Sequence, residues 1–186
     1  MAWFWWYRFG PIFANEIGKR FVEGMKSSRS CWHLDEMSVK INGEPHYPWR
    51  AVDHEGEVPE SYVTKKLDKK AALKCLRNAM RKHGHPEVVV TDRLRSHGAA
   101  LREVGAGRRR QTGRWLNNQV ENSHLPFRRR KRSMLRFRRM RSLQMFAAVN
   151  ASVFNHFNSK RRLACRQIFK LNRAVALARW RKLAVA

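Results

Sequence analysis

Apolar and polar positions along the first hundred residues predict three strands, a helix and a fourth strand. The first three strands alternate apolar and polar side chains, whereas the fourth is a continuous apolar run, typical of a central strand. Asp68 is suited to cap the amphipathic helix, and Pro48 and Pro59 favour edge or end positions in their strands. We predict strands at residues 31–41, 46–53, 58–65 and 87–91, and the helix at residues 69–82.

Helical periodicity predicts most of the remaining elements. Helices are expected at residues 11–25, 95–103, 115–125, 139–157 and 166–183, with a basic loop or weak strand at residues 104–113. Pro126 should kink the helix at 115–125 or begin a second one. This order of elements describes an α/β protein with three layers around a sheet of mixed direction.

The charge is concentrated in the second half of the chain. The formal net charge is +26, and residues 101–186 contribute 23 basic and 2 acidic residues, against 17 and 12 in residues 1–100. Such an excess predicts a polyanionic partner, with nucleic acid before an anionic membrane surface. The alternative, a solvated basic helix face, fits this density poorly. The residues predicted to contact DNA are Arg108, Arg109, Arg110, Arg128, Arg129, Arg130, Lys131 and Arg132.

The cysteines and the first residues bear on the cellular compartment. Cys31, Cys75 and Cys165 are widely spaced and form no metal-ligand pattern, which predicts reduced thiols in a cytosolic protein. Residues 1–7 are strongly apolar but too few to span a membrane, and they lack the features of a signal peptide. We interpret them as an element that packs on something else.

Three carboxylates stand at positions that suggest chemistry. Asp35 shares strand parity with Met37, Val39 and Ile41, and a lone buried carboxylate is costly unless it is paired or binds a metal. The alternatives are an ion pair with one of the arginines, or a strand that ends before Asp35.

The other two carboxylates follow the fourth strand and lie in a later helix. Asp92 ends the apolar run at the place where ligands bind in open α/β sheets, although an aspartate there also caps helices. Glu121 shares a helix face with polar neighbours, although it could simply pair with Arg114 or Arg128 at the surface. Together, the three could enclose two hard divalent cations, as phosphoryl transfer on DNA requires.

Several stretches resemble one family, the DDE transposases of insertion sequence six. They are FGPIFA (9–14), WHLDEMSVKINGE (32–44), WRAVDHEGEV (49–58), VTKKLDKKAAL (63–73), VVTDRLRSHGAAL (89–101), RWLNNQVENSHLPFRRRKRSMLRFR (114–138) and FNHFN (154–158). The resemblance covers nearly the whole chain from residue 9. It implies an RNase H-like three-layer fold with a mixed five-stranded sheet, flanked by basic C-terminal helices.

The resemblance also implies a site and an activity. Asp35, Asp92 and Glu121 occupy the family's catalytic, metal-binding positions. The cofactor would be Mg²⁺ or Mn²⁺, with two ions bound. The implied reaction is metal-dependent strand cleavage at transposon ends and strand transfer into target DNA. The partners would be double-stranded DNA and further copies of the chain, in a homodimer or larger synaptic complex. The protein would act at the nucleoid in the bacterial cytoplasm, and no membrane would be involved. Positioning roles fall to His33, Glu36, Asn118 and His124.

The resemblance predicts three regions and leaves alternatives open. Residues 1–29 would be the remnant of an N-terminal DNA-binding region and linker, residues 30–158 the catalytic domain, and residues 159–186 a basic C-terminal helix. The family usually carries a longer N-terminal helix-turn-helix region, so we expect a truncation. Arg93 and the sequence SHG (96–98) depart mildly from the family pattern. The alternatives are a catalytically inactive DNA-binding remnant of a transposase and a host RNase H-like nuclease.

Overall fold

The computed structural model describes most of the chain as six helices and six strands. The described residues are 2–24, 31–54, 56–92, 94–113, 116, 118–134, 137–157 and 165–185, with side chains left out at 2–5, 18–24, 118–123 and 183–185. The strands are β1 (Cys31–Glu36), β2 (Val39–Ile41), β3 (Glu44–Asp53), β4 (Glu60–Thr64), β5 (Val88–Thr91) and β6 (Arg110–Thr112). The helices are α1 (Ala2–Gly24), α2 (Lys69–His83), α3 (Arg95–Glu103), α4 (Asn118–Ser133), α5 (Met140–Phe157) and α6 (Arg166–Val185).

Strands β1 and β2 both pair antiparallel with β3, and they share one register. The register does not slip between Asp35, opposite Arg50, and Ile41, opposite Glu44. The ladder is interrupted at Met37, which donates its N–H to the carbonyl of Pro48 but receives no bond in return, since proline has no N–H. A two-residue turn of Asn42 and Gly43, both with positive φ, closes the hairpin. The strand predicted at 31–41 is therefore confirmed.

The sheet is mixed and has five strand positions, because β1 and β2 occupy the same one. Strand β4 pairs antiparallel with the other edge of β3, β5 pairs parallel with β1, and β6 pairs parallel with β5. The order across the sheet is therefore β4, β3, β1, β5 and β6. Pro48 lies inside β3, which is paired on both sides, so the edge position expected for it was wrong. Because Pro48 has no N–H, the ladder lacks one hydrogen bond opposite Met37.

One face of the sheet is covered by α2 and α3. Asp68 caps α2 through a hydrogen bond from the Ala71 N–H to its Oδ1 (2.8 Å), as predicted. Trp32 and Leu34 of β1 form the core of this face with Leu76 of α2 and Leu101 of α3.

The opposite face is covered by α1, α4 and α5. Met37 and Val39 pack there with Phe127 of α4 and Phe146 of α5, and Trp6 of α1 lies against Phe146 with ring centroids 5.4 Å apart. The three-layer prediction is therefore confirmed. The apolar start of the chain is part of this layer, as the first turns of a helix that we had expected to begin at residue 11.

Two prolines lie inside helices that we expected them to end or begin. Helix α1 continues through Pro11 and α4 through Pro126. Phe127 in α4 and Met134, directly after its end, are buried in the core. Burial of two such side chains, roughly 1.5–3 kcal/mol each, offsets the roughly 3 kcal/mol that an interior proline costs.

Among the described helices, none has the length and hydropathy needed to cross a membrane.

Candidate active site

The pairing of β1 with β5 brings Asp35 and Asp92 to one edge of the sheet. These strands are parallel, with Leu34 opposite Thr91, and each aspartate is the next residue along its strand. The carboxyl ends of parallel strands meet at the same edge, where ligands bind in open α/β sheets. Two of the three predicted carboxylates therefore lie side by side.

Asp35 lies in a mostly buried position between the sheet and α4. Its side chain is 15% exposed, and its Oδ2 is 3.6 Å from Nδ1 of His124. Burial raises the pKa of Asp35 to about 7, and the negative charges of Glu36 and Asp92 add to the rise. The parity that put Asp35 on the face of Met37 agrees with this contact, because α4 covers that face.

A buried arginine lies opposite Asp35 on β3. Arg50 is 2% exposed, and its guanidinium lies over the Phe127 ring, 5.8 Å from the ring centroid. Burial lowers the pKa of Arg50 to about 10, against the opposing effect of the Asp35 charge. Asp35 and Arg50 therefore influence each other electrostatically, and the ion pair with an arginine that we considered for Asp35 stays a prediction.

His124 faces Asp35 as a neutral imidazole. Burial lowers its pKa to about 3, with further lowering by the charges of Arg50 and Arg128. It therefore carries no charge at neutral pH and acts on Asp35 through contact and polarity.

Asp92 has the opposite surroundings, because hydrogen-bond donors surround it. Its Oδ1 accepts from the backbone N–H of Leu94 (3.0 Å) and lies 2.8 Å from Nδ1 of His97. Burial acts to raise the pKa of Asp92, but the hydrogen bonds and the charges of His97 and Arg110 lower it overall. The N-cap of α3 is Leu94, so Asp92 is not the helix cap that we had considered.

Arg110 of β6 fixes the backbone beside Asp92. It donates to Oγ1 of Thr91 (2.9 Å) and to the carbonyl of Asp92 (2.9 Å). Gly98 of α3 leaves the space for this guanidinium, since a Cβ there would collide with it. We therefore assign Arg110 to the support of Asp92, and its contact with DNA stays a prediction.

Glu36 and His97 complete a cluster with Asp92. One ligand atom from each of Glu36, Asp92 and His97 lies within 4.8 Å of the others. Oε2 of Glu36 and Nε2 of His97 are buried, 3.7 Å apart, and have no hydrogen-bond partner within the described part of the chain. A buried carboxylate oxygen of Glu36 beside Asp92 suits a hard divalent cation, which prefers oxygen ligands. His97 was missed as a site residue, although its place five residues after Asp92 on a predicted helix was a usable signal.

The third predicted carboxylate, Glu121, lies in α4, three residues before His124. Its side chain is outside the described part of the structure, as is that of Asn118, so their roles at the site stay predictions. His33 is buried in β1, with Nε2 3.8 Å from Sγ of Cys31.

Comparison with known proteins identifies the family. A family model described as a DDE domain matches residues 29–160, more than two thirds of the chain. The chain belongs to the DDE transposases of the insertion-sequence-six family. The match begins and ends close to the boundaries, 30 and 158, that we predict for the catalytic domain.

Relatives among characterised proteins point the same way. The transposase for insertion sequence-like element IS431mec of Staphylococcus aureus is 27% identical over 130 residues, covering 67% of this chain. The transposase for insertion sequence element IS257 in transposon Tn4003, from the same species, matches to the same extent. The chain spans 58% of the length of these relatives.

A solved structure confirms the fold. The HTLV-2 integrase catalytic core domain, in its dimeric form with magnesium, superposes with a TM-score of 0.53 at 16% identity, over 73% of this chain and 94% of that one. The RNase H-like fold implied by the family resemblance is therefore confirmed.

The basic residues of this DDE domain differ in their surroundings. Five of those expected to contact DNA are exposed, whereas Arg130 and Lys131 are half-buried. Arg128, Lys131 and Arg132 of α4 border a cavity of about 200 Å³ together with Met37 and Val39. The exposed residues are Arg108, Arg109, Arg128, Arg129 and Arg132.

Proposed function

We propose that this chain is the catalytic domain of a transposase that cleaves DNA at the ends of an insertion element and joins those ends to target DNA. The observation that carries the proposal is the delivery of Asp35 and Asp92 to one sheet edge by two parallel strands, in a family member with the RNase H-like fold. Glu121 supplies the third carboxylate from α4, a helix that packs against β1 and β3.

The site suits a pair of divalent cations, with Mg²⁺ first and Mn²⁺ as a substitute. Asp35, Asp92 and Glu121 would hold them, and the orphaned Oε2 of Glu36 supports a cation at this edge. The related integrase core that carries magnesium supports the same choice of ion. Bound divalent ions stabilise the negative charge that develops on the attacking and leaving oxygens of a phosphodiester.

The protein's own groups keep the site rigid before DNA arrives. His97 and the Leu94 N–H hold one oxygen of Asp92, and Arg110 holds the backbone behind it. On the other strand, Asp35 rests against neutral His124. Pre-organised carboxylates need little rearrangement when substrate binds, which favours catalysis.

The basic surface of α4 offers the path for DNA. Met37, which lines the cavity bordered by Arg128, Lys131 and Arg132, is two residues beyond Asp35. Phosphates seated there would align a strand with the carboxylates without reading its sequence, and binding would weaken steeply with salt. Two DNA ends must meet in transposition, so we propose that at least two copies of the chain assemble on double-stranded DNA.

The test is divalent-ion-dependent cleavage and joining of labelled DNA ends by the wild-type chain and by Asp92→Asn. Loss of a support residue beside a metal ligand costs roughly 10–100-fold, so loss of the ligand should cost at least about 100-fold. Glu103→Gln, which neutralises an exposed acid at the end of α3, is the matched control and should stay active. Equal product from Asp92→Asn and wild type would refute the proposed site. Salt-sensitive DNA binding with no product from any of the three would instead favour the inactive remnant.

A further inference from the structure

His97 is an unusually constrained histidine beside the proposed metal centre. It is 1% exposed, and its ring meets Trp49 edge-on, with centroids 5.2 Å apart and planes at 85°. Nδ1 lies 2.8 Å from Oδ1 of Asp92, and Nε2 lies 3.7 Å from Oε2 of Glu36. The imidazole therefore stands in a row between two carboxylates, with an aromatic ring fixing its plane.

The hydrogen bonds on Asp92 are one-sided. Within the described residues, both of its side-chain bonds, from the Leu94 N–H and from His97, fall on Oδ1. A carboxylate held by one oxygen cannot rotate freely, and its other oxygen, Oδ2, is left for a further ligand. This is the arrangement expected of a carboxylate whose free oxygen must face a cation.

A role in packing alone does not account for the imidazole. Among the residues that the structure describes, the buried Nε2 of His97 has no hydrogen-bond partner, and neither does Oε2 of Glu36. Unpartnered buried polar atoms reduce stability, and an apolar side chain at this place would avoid that cost. What an apolar side chain could not supply is the N–H that holds Asp92.

We propose that His97 is a positioning residue that turns Oδ2 of Asp92 toward the divalent cation, with its ring held edge-on against Trp49. The inference rests on the proposed function, since it presumes a metal centre at Asp92. Groups that orient metal ligands typically change metal affinity by roughly 10–100-fold when removed. His97 should act on cation affinity more than on the stability of the fold.

Two substitutions at His97 separate positioning from packing. The side-chain nitrogen of asparagine is three bonds from Cα, as is Nδ1 of histidine, so His97→Asn keeps a donor toward Asp92. The nitrogen of glutamine matches Nε2, so His97→Gln moves the donor toward Glu36. Both variants remove the ring and its contact with Trp49, which makes them matched controls for each other.

The measurement is Mn²⁺ binding to the full chain at fixed pH, followed by the electron paramagnetic resonance signal of free Mn²⁺. We expect His97→Gln to weaken binding by about tenfold or more and His97→Asn by no more than roughly threefold. The midpoint of thermal unfolding, measured without metal, should fall similarly in both variants.

Each other outcome has a distinct meaning. Wild-type affinity in both variants would overturn the role of His97 while leaving the proposed function intact, and an equal loss in both would assign the effect to packing. A wild-type chain that binds no Mn²⁺ would remove the metal centre and this inference with it. A measurement on the wild-type chain covers variants that fail to fold: the ¹⁵N spectrum of the His97 ring should show a hydrogen-bonded proton on Nδ1, and an Nδ1 without a proton would overturn the inference.

Discussion

The ends of β1 and β5 are neighbours in register, yet their two aspartates have opposite electrostatic surroundings. Asp35 is 15% exposed, with a pKa raised to about 7 by burial and by the nearby charges of Glu36 and Asp92. Asp92 is 38% exposed and has a pKa below its ordinary value, because donors from Leu94, His97 and Arg110 surround it. Burial determines the pKa shift at one strand end, and hydrogen-bond donors determine it at the other.

This difference indicates how the site can be prepared for a cation. Asp92 is ionised and fixed in the metal-free protein, so it is ready to bind. The charged form of Asp35 lowers the stability of the folded protein, and a bound cation would reduce that cost. An unfavourably buried charge at one strand end is consistent with the exchange of stability for activity at functional sites.

The largest expected effect concerns Asp35. Asp35→Asn removes a carboxyl that is protonated up to about pH 7 in the folded protein but only up to about pH 3.8 in the unfolded chain. Wild-type stability therefore falls as the pH rises through this window, and the variant should be more stable at pH 8 than wild type. The gain at pH 8 should exceed the gain at pH 5 by roughly 3 kcal/mol, as an upper value, in urea unfolding with a chelator present.

Asp68→Asn provides the control for Asp35→Asn. Asparagine caps a helix about as well as aspartate, so this change should leave the free energy of unfolding close to that of the wild type. The folded protein keeps His124 neutral throughout this window, with a pKa of about 3, and titration of His124 in the unfolded chain is common to both proteins and cancels from the difference. A loss of stability in Asp35→Asn at pH 8, or equal gains at both pH values, would contradict the unfavourable burial of the Asp35 charge.

The second effect should have the opposite sign. Asp92→Asn replaces a carboxylate that accepts two hydrogen bonds, and such bonds to a charged group contribute roughly 1.5–3 kcal/mol, reduced here to about 1–2 by partial exposure. Because the folded pKa of Asp92 is lowered, the stabilisation is present at neutral pH and lost as the pH falls through that value. We expect lower stability at pH 7 and little difference in acid, in the same urea experiment. Stabilisation by both Asp35→Asn and Asp92→Asn at pH 7 would erase the contrast between the strand ends.

The sequence predicted the positions of these two aspartates but not their surroundings. Strand periodicity located β1 and β5, and the ligand-binding edge of a sheet follows from strand direction alone. The support of Asp92 depends instead on long-range geometry. Arg110 looked like part of an exposed basic run, and only the pairing of β5 with β6 brings it to Thr91. In the sequence, His97 is one residue of a predicted helix, and only the folded structure shows that it lies beside Asp92.

The same limit explains the errors in helix boundaries. Proline rules describe the local loss of a hydrogen bond, and from them we predicted a helix start at Pro11 and a kink or a second helix at Pro126. They take no account of what the following residues bury, and Phe127 lies in the centre of the core shared with Phe146, with ring centroids 5.0 Å apart. Tertiary packing therefore overrode a correct local preference.

The smallest expected effect tests whether Arg110 supports the Asp92 end alone. Alanine is normally better than glycine inside a helix by about 1 kcal/mol, yet a Cβ at Gly98 would displace the Arg110 guanidinium from Thr91 and Asp92. Gly98→Ala should therefore fail to stabilise the wild-type protein, but should stabilise the Arg110→Gln variant by about 1 kcal/mol. A double-mutant cycle in urea measures this coupling. Additive effects would mean that Arg110 and Gly98 are independent. Contacts other than those of Arg110 would then have to hold the backbone beside Asp92.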